Sequence, residues 1–152
     1  MQAAEQTAST EVSAMRALRL NFSKTGRAIY ISHLDINRMM TRAVRRAKLP
    51  MWYTEGFNPH PYLTFALPLS LGQSSDCEYM DIRIEGDITD EEIMNRLNAV
   101  LPEGVKILSV SAPVYDAKEI EKALYFVKLI FKDAETSKNF AERAQTLAEG
   151  EE

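Results

Sequence analysis

Two helix-opening signals constrain this chain more than anything else in it: Ser32-His33-Leu34-Asp35 and Thr89-Asp90-Glu91-Glu92, each set between short segments of alternating apolar and polar residues. A hydroxyl followed three residues later by a carboxylate is the pattern of a capping box, in which the side-chain oxygen accepts the N3 amide proton and the carboxylate reaches back. Before the first box, Leu18, Leu20 and Phe22 alternate with Arg19 and Asn21, the period of a strand with one wet face. After it, Ile36, Met40, Ala43, Val44 and Ala47 gather on one side of a helix projected at roughly 100° per residue, with Arg38, Arg42 and Arg45 opposite. This helix is expected to run from Ser32 to about Leu49, where Pro50 stops it.

From Met51 to Gly72 the chain carries Gly56, Pro59, Pro61, Pro68 and Gly72 among aromatic residues, so a structured loop and then a short edge-type strand near Tyr62 to Leu67 are expected. Tyr79 to Ile84 alternates again. The second box opens a helix carrying Ile93, Leu97, Val100 and Leu101, ended by Pro102 and Gly104, and Val105 to Val110 reads as a strand. The order strand, helix, strand, strand, helix, strand predicts an α+β domain, a ferredoxin-like βαββαβ sandwich with both helices on one face of an antiparallel sheet. Beyond it, Lys118 to Lys122 suits a helical turn, Tyr125 to Lys132 an additional C-terminal strand, and Ala134 to Ala148 a helix through Phe140, Ala144 and Leu147. The expected organisation is a disordered leader over 1–15, poor in large apolar residues, a domain over 16–115, and an extension over 116–152. The extension either packs on the first unit or opens a second, truncated one.

Composition narrows the chemistry. An apolar share of 45% in 152 residues suits a globular core. No apolar run approaches the roughly 18 residues of a membrane span, and the N-terminus lacks a signal-peptide pattern, so a cytoplasmic location and no membrane partner are expected. Cys77 is the only cysteine, so this chain by itself builds no disulfide, Cys-rich zinc site or iron–sulfur cluster. The net charge of -4 hides an asymmetry: from Arg16 to Pro50 stand Arg16, Arg19, Lys24, Arg27, Arg38, Arg42, Arg45, Arg46 and Lys48 against the single acid Asp35. Such a segment either meets a polyanion or merely solvates a helix face.

Several unusual blocks occur in order: Phe22-Ser23-Lys24-Thr25-Gly26-Arg27, Ile31-Ser32-His33-Leu34-Asp35, Arg42 to Pro50, Glu55-Gly56-Phe57-Asn58-Pro59-His60-Pro61, Phe65 to Gly72, and Glu78-Tyr79-Met80-Asp81-Ile82. Together they make the stretch from Arg16 to Tyr115 resemble the radical-SAM-linked domain family of unknown function. That resemblance implies a domain found beside or fused to cobalamin-binding radical SAM proteins, with the iron–sulfur cluster, SAM and cobalamin held only in the partner. A radical SAM cluster needs three closely spaced thiolates, which one cysteine cannot supply.

Three functions follow as expectations. The first is an accessory domain beside a radical SAM protein, binding tRNA or rRNA or presenting substrate. In it Lys24, Arg27, Arg38, Arg42, Arg45 and Arg46 hold phosphates, with Lys24 to Arg27 forming an anion site at the helix opening, and Glu55, Phe57, Asn58 and His60 make loop contacts. The second is a docking module for the radical SAM partner. The third is a metal-independent RNA-processing enzyme using His33 or His60, with Glu55 in company. Two histidines with scattered carboxylates have no recognisable ligand spacing, so no metal is expected.

Overall fold

In the computed structural model, residues 15–149 are described. The expected leader therefore lies outside the described residues except for Met15. The chain forms two compact units that divide after Glu121.

The first unit contains strands β1 (Arg16–Lys24), β2 (Leu63–Phe65), β3 (Ser75–Ile84) and β4 (Val105–Ser111), and helices α1 (His33–Arg46) and α2 (Asp90–Asn98). A 3-10 turn, Gly26–Tyr30, precedes α1, and another, Ala117–Glu119, follows β4. The strands make one sheet in the order β2-β3-β1-β4, with every neighbouring pair antiparallel. Each helix thus carries the chain across one intervening strand: α1 from β1 past β3 to β2, and α2 from β3 past β1 to β4.

Alternation decides which face is buried. Leu18, Leu20 and Phe22 of β1 point the same way and are buried with Met80, Ile82 and Ile84 of β3, which they meet through the pairings Leu18 with Ile82 and Leu20 with Met80. Ile36, Met40, Ala43 and Val44 of α1, and Ile93 and Leu97 of α2, join the same core cluster, which places both helices on this face. On β4 the buried residues Val105 and Ile107 are in phase with each other but not with Val110. A register shift between Asn21 and Phe22 accounts for this: Leu20 opposes Val110 whereas Phe22 opposes Ile107, leaving Leu108 as the extra residue.

Both sequence capping signals open helices, but only half of each box forms. Ser32 Oγ accepts the Asp35 amide proton at 3.2 Å and Thr89 Oγ1 that of Glu92 at 3.2 Å. The carboxylates turn elsewhere, Asp35 to the Ser32 hydroxyl and Arg38, Glu92 to Arg96. Helix α1 ends earlier than Leu49 because Lys48 takes a positive φ of 51°, a left-handed conformation that closes the last turn ahead of Pro50. Gly104, with φ +87°, packs on the first 3-10 turn, where a Cβ would meet the Thr25 carbonyl and Ala28, so only glycine fits without strain. The Thr25 amide donates to the Gly104 carbonyl at 2.7 Å, which fastens the turn before α1 to the turn before β4.

The second unit carries α3 (Ala134–Glu149), opened by Asp133, whose Oδ1 accepts the Thr136 amide proton at 2.7 Å. The expected strand over Tyr125 to Lys132 does not form among the described residues. Its residues have strand-like propensity, but a strand exists only through ladder partners, and none pairs with it. The turn expected over Lys118 to Lys122 is the shorter 3-10 turn, where Asp116 and Glu119 complete a reciprocal capping box.

Candidate functional site

The solvent side of α1 carries the arginines. The buried stripe fixes the rotation of the helix, so Arg38, Arg42, Arg45 and Arg46 are all exposed. They differ in what balances them. Arg38 donates to Asp35 at 3.2 Å, whereas Arg42, Arg45 and Arg46 have no ion pair or side-chain hydrogen bond among the described residues. The Ser32 hydroxyl, and then Arg38, hold the Asp35 carboxyl below its ordinary range, so this acid stays ionised and largely cancels Arg38.

Beside this face lies an open cleft of about 490 Å³, lined by Asp35, Arg38, Met39, Arg42, Ala43, Arg46, Val100 and Pro102. Val100 and Pro102 come from the turn after α2, which α2 sets in place by the Val100 and Leu101 amides donating to the Leu97 carbonyl. Arg96 of α2 reaches the Lys48 carbonyl at 3.2 Å and links the second helix to the end of the first. The cleft therefore has a basic rim and an apolar wall. Arg27 is exposed on the 3-10 turn that Gly104 supports, without an ion pair among the described residues.

The helix opening differs from the expected anion site in two respects. Lys24 is 1% exposed, packed in a cavity with Phe22, His33, Ile36, Phe65, Leu67, Leu69 and Glu78, and its Nζ faces the Ser70 carbonyl at 3.5 Å. At the α1 N-terminus the Asp35 amide already donates to Ser32 Oγ, and the Asp35 carboxylate stands beside it, held by the Ser32 hydroxyl and Arg38. Two further basic residues of the segment are also neutralised: Arg19 pairs with Asp81 through two contacts of 2.7 and 2.8 Å, and Arg16 lies 3.3 Å from Asp90. The hydrogen bond to Asp81 raises the Arg19 pKa further.

Burial lowers the Lys24 pKa below the ordinary 10.5, with the Glu78 charge opposing the shift. The unfolded chain then holds this proton more tightly than the folded one, so stability rises with pH between the lowered value and 10.5. The full desolvation cost is present below that window and absent above it. Lys24→Met is expected to lose this rise; urea unfolding measured from neutral pH upward checks it, and identical profiles for the two proteins would contradict it.

The loop from Tyr53 to Tyr62 projects from the sheet edge. Trp52 donates its amide to the Arg83 carbonyl at 2.9 Å, Tyr62 donates to the Trp52 carbonyl at 3.1 Å, and Tyr53 bridges Pro61. Thr54 braces the inside: its amide donates to the His60 carbonyl at 2.9 Å and its Oγ1 accepts the His60 amide proton at 3.2 Å. His60 Nδ1 lies 3.0 Å from Thr54 Oγ1 and 3.1 Å from the Asn58 carbonyl. Glu55, Asn58 and His60 are exposed, and Phe57 stands fully in solvent at the tip. The loop and the α1 cleft share no lining residue.

His33 packs edge-on against Phe65, ring centres 5.1 Å apart. Neither histidine hydrogen-bonds to a carboxylate among the described residues, so no oriented acid–base pair forms around His33, His60 and Glu55. Among the described residues no group of three or more His, Cys, Asp or Glu is arranged to hold a metal, and no helix is long and apolar enough to cross a membrane.

Sequence reasoning missed two features. Arg83 is held over the rings of Trp52 and Tyr62, at 5.3 and 4.2 Å from their centres. These residues are far apart in sequence, and no local pattern announces the stack. Val100 and Pro102 were legible only as a helix end, not as a wall beside the arginines.

These features define a mixed α/β domain with an antiparallel sheet, a helical layer and a basic, partly apolar cleft on that layer. Residues 17–152 match the model of a family described as an uncharacterized protein conserved in bacteria, DUF2344, and the chain belongs to that family. No curated protein matches the sequence.

Proposed function

We propose that this protein is an accessory RNA-binding domain that works beside a radical SAM protein, on tRNA or rRNA, in the cytoplasm. The observation that carries the RNA reading is the set of three guanidinium groups, Arg42, Arg45 and Arg46, on one exposed helix face with no ion pair among the described residues. Guanidinium groups donate to phosphate oxygens in pairs, and an unpaired cluster loses no internal ion pair when it does so. Arg38 on the same helix and Arg27 on the preceding turn are further exposed cations, while Lys24 is excluded by its burial. Strand order β2-β3-β1-β4 with two crossovers supports the ferredoxin-like class for the first unit.

The radical SAM link rests on the resemblance of Arg16 to Tyr115 to domains found with such enzymes. In this reading the iron–sulfur cluster, SAM and cobalamin belong to the partner, because a lone Cys77 cannot hold a cluster. Phe57, fully exposed on a braced tip, favours a second reading in which the loop docks on the radical SAM protein, since exposed aromatic anchors are typical interface hot spots. The RNA-processing alternative has no comparable observation behind it.

Ultraviolet cross-linking of the tagged protein in cells, followed by mass spectrometry of nucleotide-bearing peptides, tests the main reading. Adducts are expected on peptides spanning Arg38 to Lys48. Recovery of a protein partner with no nucleotide adduct on α1 would overturn it in favour of docking.

A further inference from the structure

The α1 cleft differs from a plain phosphate-binding surface in its chemistry. Met39, Ala43, Val100 and Pro102 give it an apolar wall, and Arg42 and Arg46 stand on its rim one helical turn apart. Side chains at i and i+4 are neighbours, so both guanidinium groups are within reach of one bound phosphate. On the same rim, Arg38 is already balanced by Asp35. The wall is unexplained by backbone binding alone: a duplex keeps its base faces stacked inside and offers such a wall no flat apolar surface. A volume of about 490 Å³ lies within the ~300–1,000 Å³ range of small-ligand sites.

Resting on the RNA reading above, we propose that this cleft seats one unpaired nucleotide, its base laid against Met39, Val100 and Pro102 and its phosphate held by Arg42 and Arg46. Unpaired bases present a flat apolar face that packs on such a wall irrespective of sequence, and a phosphate one sugar away reaches the arginines. At the other end of the cleft Arg38 is paired with Asp35, so the cleft's free cations for a phosphate, among the described residues, are Arg42 and Arg46. Arg45 lies outside the cleft and contacts the continuing strand instead.

The test compares adenosine 5′-monophosphate, ribose 5-phosphate, a single-stranded oligonucleotide and a hairpin, titrated into the whole protein and followed by the methyl resonances of Met39, Ala43 and Val100. The monophosphate is expected to shift all three methyls, ribose 5-phosphate to bind at least about fivefold more weakly, and the single strand to bind more tightly than the hairpin. Met39→Gln, which keeps side-chain length, is expected to weaken the monophosphate at least about fivefold; Arg42→Gln with Arg46→Gln is expected to abolish its binding. If the single strand binds while the monophosphate leaves those methyls unmoved, the nucleotide seat is wrong and RNA binding stands. If neither oligonucleotide binds, the RNA reading itself falls. Equal binding of ribose 5-phosphate and the monophosphate overturns the role of the apolar wall.

Discussion

Reversing Arg42, Arg45 and Arg46 to glutamate is expected to lower affinity for single-stranded RNA by about 100-fold or more while leaving the protein folded. Each charge-assisted contact contributes about 1 kcal/mol or more, so the loss of three is at least about 3 kcal/mol, close to two orders of magnitude in the binding constant. Among the described residues none of the three has an ion pair to break. The cost to folding comes mainly from the helix dipole: Arg45 and Arg46 lie in the last turn of α1, where reversing a favourable charge costs about 0.3–1 kcal/mol each. Fluorescence anisotropy with a labelled oligonucleotide, paired with a denaturation curve for each protein, separates the two effects. Unchanged affinity would remove the basic face from the account.

The second large effect is on the scaffold. Phe22→Ala is expected to destabilise the domain by about 3–5 kcal/mol, a large share of the 5–15 kcal/mol typical of a whole domain. Phe22 is 2% exposed on the sheet's inner face, opposes Ile107 across β4, and meets Phe65 edge-on with ring centres 6.1 Å apart. Its removal opens a cavity bounded by both neighbouring strands, and β1 pairs on each side, so there is little room to collapse. The urea midpoint should fall with the denaturant slope unchanged; a shift under 1 kcal/mol would mean that Phe22 is not at the centre of the packing.

How far the sequence carried depends on whether a signal was local. The buried stripe of α1 followed from spacing alone, since Ile36, Met40, Ala43, Val44 and Ala47 are all in the core. The same alternation holds the answer for Lys24, expected in an anion site at the helix opening. Lys24 continues the series Leu18, Leu20, Phe22 by two residues, and β1 extends through it, so its side chain enters the core face. Ending the strand at Phe22 hid that phase. At the helix opening, the acid predicted to complete a capping box instead binds the Ser32 hydroxyl and Arg38, a choice set by which partners lie within reach. The segment Tyr125 to Lys132 has the residues of a strand but no pairing partner among the described residues, and pairing is the part of strand formation that composition cannot supply. Charge was the least transferable signal: of the basic residues between Arg16 and Lys48, Arg16, Arg19 and Arg38 are paired with acids and Lys24 is buried, which leaves a smaller and more sharply placed face.

That face is tested most directly by the salt dependence of RNA binding. Plotted as logarithms, the binding constant of the unaltered protein should fall with salt at about 0.7 per phosphate contact on a single strand. The variant carrying glutamine at 42, 45 and 46 should give a line shallower by about 2. Superimposable slopes for the two proteins would place the phosphate contacts somewhere other than α1 and contradict the account.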